Sequence, residues 1–100
     1  MFYLLKVEGK SLEPDFNEGD FVLVSKIPFY FRPVRPGDVI VFNHVLYQTM
    51  IKYVEWFDLE TGAVYVVGNS PESVDSRIFG PIRLGAVLGK VIWHIHRKRV

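Results

Sequence analysis

The sequence has no cysteine. That excludes disulfide frameworks, thiolate nucleophiles and cysteine-ligated zinc or iron–sulfur centres. It leaves the compartment open, because a cysteine-free chain suits either redox poise. No apolar run approaches the roughly 18–20 residues that cross a bilayer as a helix. The opening stretch from Met1 to Glu8 turns charged too soon for a signal peptide or an anchor. An excess of one charge is also missing, since 12 lysines and arginines stand against 11 aspartates and glutamates, for a net charge of +1. This balance gives no electrostatic reason for nucleic acid or an anionic membrane as partner. The basic end Arg97-Lys98-Arg99 reads as a solvated terminus. Linkers, repeats and low-complexity tracts are absent, so the 100 residues are read as one domain, 1–100.

What is present is strand composition. Hydrophobic residues make up 49% of the chain and aromatics 15%, enough for one modest core. Apolar, β-branched and aromatic runs predict strands at Tyr3–Val7, Phe21–Val24, Val39–Phe42, Val45–Trp56, Ala63–Val67 and Ala86–Ile95. Gly19-Asp20 and Gly37-Asp38 each introduce one of these runs. Glycine there supplies φ > 0, and aspartate bonds the nearby backbone. Asp58 to Gly62 should close a hairpin, and the proline- and aromatic-rich stretch from Ile27 to Pro36 reads as irregular. Only Ser11-Leu12-Glu13-Pro14 offers a helix start, with Ser11 as N-cap and one or two turns before Gly19. The fold class is therefore mainly β, a single curled or barrel-like sheet.

Three histidines occur: His44, His94 and His96. His94 and His96 would share a strand face and could chelate a metal, but no pattern of weight supports one, and neither metal nor cofactor is expected. Nucleophile elbows of the Gly-x-Ser-x-Gly type and glycine-rich phosphate loops are absent. Ser11 stands where the first strand exits, beside backbone N–H groups that can hold an oxyanion; taken alone it is better explained as a helix cap. Lys52 sits in the apolar setting Thr49-Met50-Ile51-Lys52-Tyr53-Val54. Burial there would lower its pKa and make it a usable base; snorkelling to a rim is the bland alternative. The stretch from Gly68 to Pro81 reads as an ordered polar loop in which Asp75 and Arg77 can pair.

Together these features resemble the signal peptidase I family and its serine–lysine-dyad relatives. The family's first box reads Gly9-Lys10-Ser11-Leu12-Glu13-Pro14, followed by Gly19-Asp20 and the run Phe21-Val22-Leu23-Val24. The next segment is Pro36-Gly37-Asp38-Val39-Ile40-Val41-Phe42, and the lysine box reads Ile51-Lys52-Tyr53-Val54. The last box reads Gly68-Asn69, then Ser73-Val74-Asp75-Ser76-Arg77-Ile78-Phe79-Gly80-Pro81, with a closing Gly89-Lys90-Val91. The match runs in order from about residue 5 to 93. It departs at Leu12, where the family has methionine, and at Tyr53, where it has arginine. The aspartate after Gly68 is missing, and Gly9 stands where many bacterial members carry a serine that donates to the oxyanion.

The resemblance implies the fold of signal peptidases and SOS-repressor proteases. It implies Ser11 as nucleophile and Lys52 as general base. Ser73 is implied to orient that lysine, the Ser11 main-chain N–H to be an oxyanion donor, and Asp75 and Arg77 to be structural support. The implied function is a serine endopeptidase that removes an amino-terminal segment from a precursor protein bound in extended form. The missing donor at Gly9 implies slow or highly selective turnover. Size and layout also resemble the small soluble protease that matures nickel superoxide dismutase. If Met1 is the natural start, a cytoplasmic enzyme is expected; if an anchor once preceded it, a membrane-associated domain outside the cytoplasm. The alternatives are a catalytically inactive binding module of the same fold and, more remotely, self-cleavage like that of the SOS repressors.

Overall fold

The computed structural model describes residues 2–97. Its centre is set by a strand that is apolar on both faces. In Val39–His44 (β3), Ile40, Val41 and Phe42 are all buried. Period-two alternation sends Ile40 and Phe42 to one side and Val41 to the other. Two apolar clusters result. Ile40 and Phe42 pack with Val34, Val54, Val64, Val66, Ile82 and Val87. Val41 packs with Val7, Leu12, Val22, Val24 and Ile51.

The remaining strands are Phe2–Lys6 (β1), Phe21–Ser25 (β2), Gln48–Asp58 (β4), Ala63–Val67 (β5), Ile82–Arg83 (β6) and Val87–Ile95 (β7). They form one seven-stranded sheet in the order β1-β2-β7-β3-β4-β5-β6, with every pairing antiparallel. The sheet is open, since β1 and β6 are its edges. It is also curled. β1 and β4 are four strand spacings apart, roughly 19 Å on a flat sheet, yet Leu5 and Lys6 line the same groove as Thr49, Met50, Ile51 and Lys52. The mainly β, single-sheet expectation holds, in the curled rather than the closed form.

The two Gly-Asp turns use one device. Gly19 and Gly37 have φ of 92° and 93°. In each turn the aspartate bonds the backbone three residues back. Asp20 Oδ2 accepts from Asn17 N at 3.0 Å, and Asp38 Oδ2 accepts from Arg35 N at 3.2 Å. Each carboxylate is buried and also bonded to a distant or bulky partner. Arg32 forks onto Asp38 with two bonds of 2.9 Å. His94 lies 2.7 Å from Asp20 Oδ2, and the Arg97 N–H donates to Asp20 Oδ1 at 2.7 Å. Asp20 therefore ties the turn before β2 to the end of β7.

Three expectations need correction. Ser11–Phe16 is a series of turns rather than a helix, so Ser11 is no N-cap. The stretch has a single i→i−4 bond, Phe16 N to Leu12 O at 3.0 Å. Pro14 has no N–H to extend a ladder, and the residue before a proline avoids helical backbone. Val45–Tyr47, expected in a strand, is the β3–β4 turn. His44 Nδ1 accepts from Leu46 N at 3.0 Å and from Tyr47 N at 3.4 Å, so an imidazole does the work of a turn-forming Asn or Asp. Within the 68–81 loop, Ser76–Phe79 is a short helix (α1) capped by Asp75. The basic end at Lys98 and Arg99 lies outside the described residues.

Asp20 yields a stability prediction. Burial alone would raise its pKa. The N–H bonds from Arg97 and Asn17 and the His94 partner overcome that and lower it from 3.8 to about 2. A depressed carboxylate contributes stability above its unfolded pKa and loses it as pH falls through the folded value. Urea unfolding of the wild type should therefore weaken between about pH 4 and pH 2. Asp20→Asn should be less stable at pH 7 and show a shallower loss across that window.

Candidate active site

Lys52 faces inward from β4, opposite Ile40 of β3, with Met50 and Val54 as its neighbours on the same face. Its residue exposure is 3%. Among the described residues no carboxylate lies within ion-pair distance of its amine. Burial lowers its pKa from 10.5; Asp75 opposes the shift by attraction and Arg77 adds to it by repulsion. Neutral amine is therefore more accessible here than on a free lysine.

Ser11 follows Gly9, whose φ is 82°, on the turn that leaves β1. It lines two adjoining grooves together with Lys52. One, of about 330 Å³, is walled by Leu5, Tyr47, Met50, Ile51 and Val74. The other, of about 390 Å³, is bordered by Glu8, Lys10, Ser70, Glu72 and Ser73. Among the described residues the Ser11 N–H donates no hydrogen bond. Its carbonyl is held firmly by Asn69 N–H at 2.6 Å and by Ser73 Oγ–H at 3.4 Å. The Ser73 hydroxyl also accepts from Ser70 N–H at 3.3 Å.

The loop behind these contacts is built on Asp75. Its carboxylate is fully buried. Arg77 reaches it through Nε at 2.9 Å and a second guanidinium nitrogen at 2.6 Å, while the N–H of Gly68 and of Arg77 donate at 2.9 and 3.0 Å. Burial pushes the Asp75 pKa up, and these bonds bring it below the ordinary value. Arg77 also donates to Ser70 O at 2.8 Å, and Ser76 Oγ accepts from Val66 N–H at 2.8 Å. The loop is thus fixed to β5 at one end and to the Ser11 turn at the other. Gly68 is tight against both: a Cβ there would lie 2.7 Å from Ser73 Cβ and 2.9 Å from the Ser11 carbonyl oxygen.

The structure therefore brings Ser11, Lys52 and Ser73 to one groove, with Asp75 and Arg77 bracing its wall. Sequence reading missed Asn69 and Asp15, which bond across the site. Asn69 Nδ2 donates to Leu12 O at 3.0 Å, Glu13 O at 3.3 Å and Asp15 Oδ2 at 3.1 Å. An asparagine following Gly68 was the available signal. His94 and His96 lie elsewhere, at the end of β7. Their ring nitrogens and an Asp20 oxygen fall within 4.8 Å of one another. Both Asp20 oxygens are already engaged by backbone N–H groups and His94, which accounts for the cluster as part of the fold.

Comparison with known proteins gives the class of this mainly β domain. Residues 1–92 match the Peptidase S24-like family, so the chain belongs to that family, whose members are serine peptidases. It is 26% identical to the "Signal peptidase I" of Bacillus caldolyticus over 85% of this chain and 74% of that protein. It is 35% identical to "Signal peptidase I V" of Bacillus subtilis (strain 168) over 54% of this chain and 32% of that protein. The chain is signal peptidase I-like. Among the described residues no helix is long and apolar enough to cross a membrane.

Lys52 carries a measurable signature independent of activity. A lysine whose folded pKa is depressed releases its proton on folding between that value and 10.5. Over this interval stability rises with pH; below it the buried cation is a penalty. Lys52→Met keeps the bulk and removes the charge. It should raise stability in urea unfolding at pH 7, with the gain over wild type shrinking as pH approaches 10.5. A constant difference across that range would mean an ordinary Lys52.

Proposed function

We propose that this protein is a serine endopeptidase that uses a Ser11–Lys52 dyad to remove an amino-terminal segment from a precursor protein. The observation that carries the reading is Lys52: a buried lysine without an acidic partner among the described residues, in the groove that also holds Ser11. A lysine buried for structure alone would gain from a carboxylate partner. One left without is kept ready to give up its proton.

In the proposed reaction the neutral Lys52 amine takes the Ser11 Oγ proton as Oγ bonds to the scissile carbonyl carbon. The resulting oxyanion is met by the Ser11 N–H, which has no other partner among the described residues. The C–N bond then breaks, and Lys52 returns its proton to the leaving amine. Lys52 next deprotonates a water that hydrolyses the acyl-enzyme and frees Ser11. Ser73 would orient Lys52. Its hydroxyl donates one bond to Ser11 O and accepts one from Ser70 N–H, which leaves one lone pair for a lysine N–H.

Two features support an extended substrate. β1 is an edge of the sheet, so its outer backbone groups are open to an added strand, and Leu5, Lys6 and Glu8 line the groove beside Ser11. The apolar walls from Leu5, Met50, Ile51 and Val74 suit small or apolar side chains rather than charged ones.

The test is peptide turnover by mass spectrometry, using a mixed library rich in Ala-x-Ala sequences at pH 7 to 9. Wild type should cleave, and Ser11→Ala and Lys52→Ala should each lose at least about 10³-fold in kcat while remaining folded. The rate should rise with pH as Lys52 loses its proton. Cleavage by Ser11→Ala at the wild-type rate would overturn the dyad. Silence from wild type would favour a binding module of the same fold.

A further inference from the structure

Three chain segments carry the proposed machinery, and they meet at one carboxylate. Asp15 lies on the turn of Ser11, Tyr53 follows Lys52 on β4, and Asn69 opens the loop that carries Ser73. Asp15 Oδ2 accepts from Tyr53 Oη at 2.6 Å and from Asn69 Nδ2 at 3.1 Å. Asn69 also grips the turn along its backbone, at the carbonyls of Ser11, Leu12 and Glu13. The Tyr53 ring stands edge-on to Phe16 of the same turn, with centroids 6.4 Å apart. Tyr53 and the Gly68-Asn69 step are also the two places where the lysine and loop boxes depart from the signal peptidase pattern. Tyr53, which stands where the family has arginine, and Asn69, which stands beside the missing aspartate, are therefore coupled, because both side chains bond one oxygen of Asp15.

We infer that Asp15, Tyr53 and Asn69 form a positioning clamp that sets the Ser11 turn against the strand bearing Lys52. The inference rests on the dyad reading above. Lys52 is fixed by a strand paired on both sides, to β3 and to β5. Ser11 sits on an irregular turn with no ladder of its own. Its place relative to Lys52 is set by the core packing of Leu12, by the Asn69 bonds and by Tyr53–Asp15, which among the described residues is the one hydrogen bond from the turn directly to β4. A displacement of about 1 Å at a reacting pair can cost about 10²-fold in rate. The bond persists at working pH. Burial, then the Asp15 hydrogen bond and charge, push the Tyr53 pKa up to about 12, while the Tyr53 and Asn69 bonds lower that of Asp15. The phenol keeps its proton and the carboxylate stays ionised while Lys52 titrates between them.

The test compares wild type with Tyr53→Phe, Asp15→Ala and Asp15→Asn on a peptide that wild type cleaves. Tyr53→Phe preserves the ring against Phe16 and removes only the bond. Asp15→Asn keeps one acceptor oxygen. Tyr53→Phe and Asp15→Ala should each lower kcat about tenfold with KM changed less than about twofold. Asp15→Asn should recover most of the loss, and the acid limb of the pH profile should stay in place because the burial of Lys52 is untouched. Amide hydrogen exchange provides a readout that needs no substrate. The Asn69 N–H, bonded to Ser11 O, should lose protection in Tyr53→Phe and Asp15→Ala, while the Val54 N–H, bonded to Asp38 O, keeps its own. Unchanged kcat and unchanged Asn69 protection in Tyr53→Phe would overturn the clamp. So would a loss of kcat accompanied by protection lost throughout the sheet and no recovery in Asp15→Asn. If wild type cleaves nothing, the dyad reading fails and the catalytic sense of the clamp fails with it. Asn69 exchange then still decides whether the three side chains hold the turn.

Discussion

The loop after β5 can close onto the Ser11 turn because residue 68 has no side chain. Any Cβ there would press on both the Ser11 carbonyl and Ser73, and contacts that close are tolerated by almost no other residue. From this approach follow the 2.6 Å bond from Asn69 N–H to Ser11 O, the seat of the Ser73 hydroxyl and the reach of Asn69 to Asp15. Asp75 secures the approach from behind by accepting the Gly68 N–H itself. The active groove is thus less a cleft in the sheet than a junction of two irregular segments above it. Of the groove residues proposed to act, the sheet supplies Lys52, and the turn and loop supply Ser11 and Ser73.

Buried charge is distributed unevenly, and the unevenness separates structure from chemistry. Asp20, Asp38 and Asp75 are all buried, and each is bonded to backbone N–H groups and to a basic side chain. The bonds hold the pKa of Asp20 and of Asp75 below the ordinary carboxylate value. Each also performs the same task of fixing an irregular segment to the sheet. Lys52 is the opposite case: among the described residues no carboxylate lies within ion-pair distance of it, and its strand neighbours Ile40, Met50 and Val54 are apolar. A fold that satisfies its buried acids this thoroughly has the means to satisfy a lysine. Leaving it unpaired costs stability and lowers its pKa, which is what the proposed base requires.

Much of the fold was legible because it rests on local patterns. Alternation and β-branched content located six of the seven strands. The Gly-Asp turns were readable from the steric freedom of glycine and the reach of aspartate. The two-residue β6 was not readable, since two residues carry no periodicity. The β3–β4 turn was missed because a histidine performs it, and the sequence of that turn, Val45-Leu46-Tyr47, is strand-like in every intrinsic preference. The Ser11 stretch looked like a helix start because a capping serine and a first-turn proline suit one, yet only one i→i−4 bond forms there. At the site, Ser11, Lys52, Asp75 and Arg77 drew notice from their local settings, and box order gave them and Ser73 their implied roles; periodicity does not report which segments meet. Asp15 and Asn69 stayed invisible for that reason, since their bonds span 54 residues of sequence.

An open sheet edge is ordinarily something a protein conceals, because unpaired backbone groups will pair with any strand that arrives. One of the two edges here is β1, and it borders the groove with Ser11. Covering it would close off the surface on which an extended peptide can lie. The remaining safeguards are brevity and charge. β1 is only five residues long, it carries Lys6, and Glu8 follows it. If the proposed substrate lies along β1, its recognition and the resistance to self-association fall on the same few residues. A change that made this strand longer or more apolar would be felt in solubility before it was felt in cleavage.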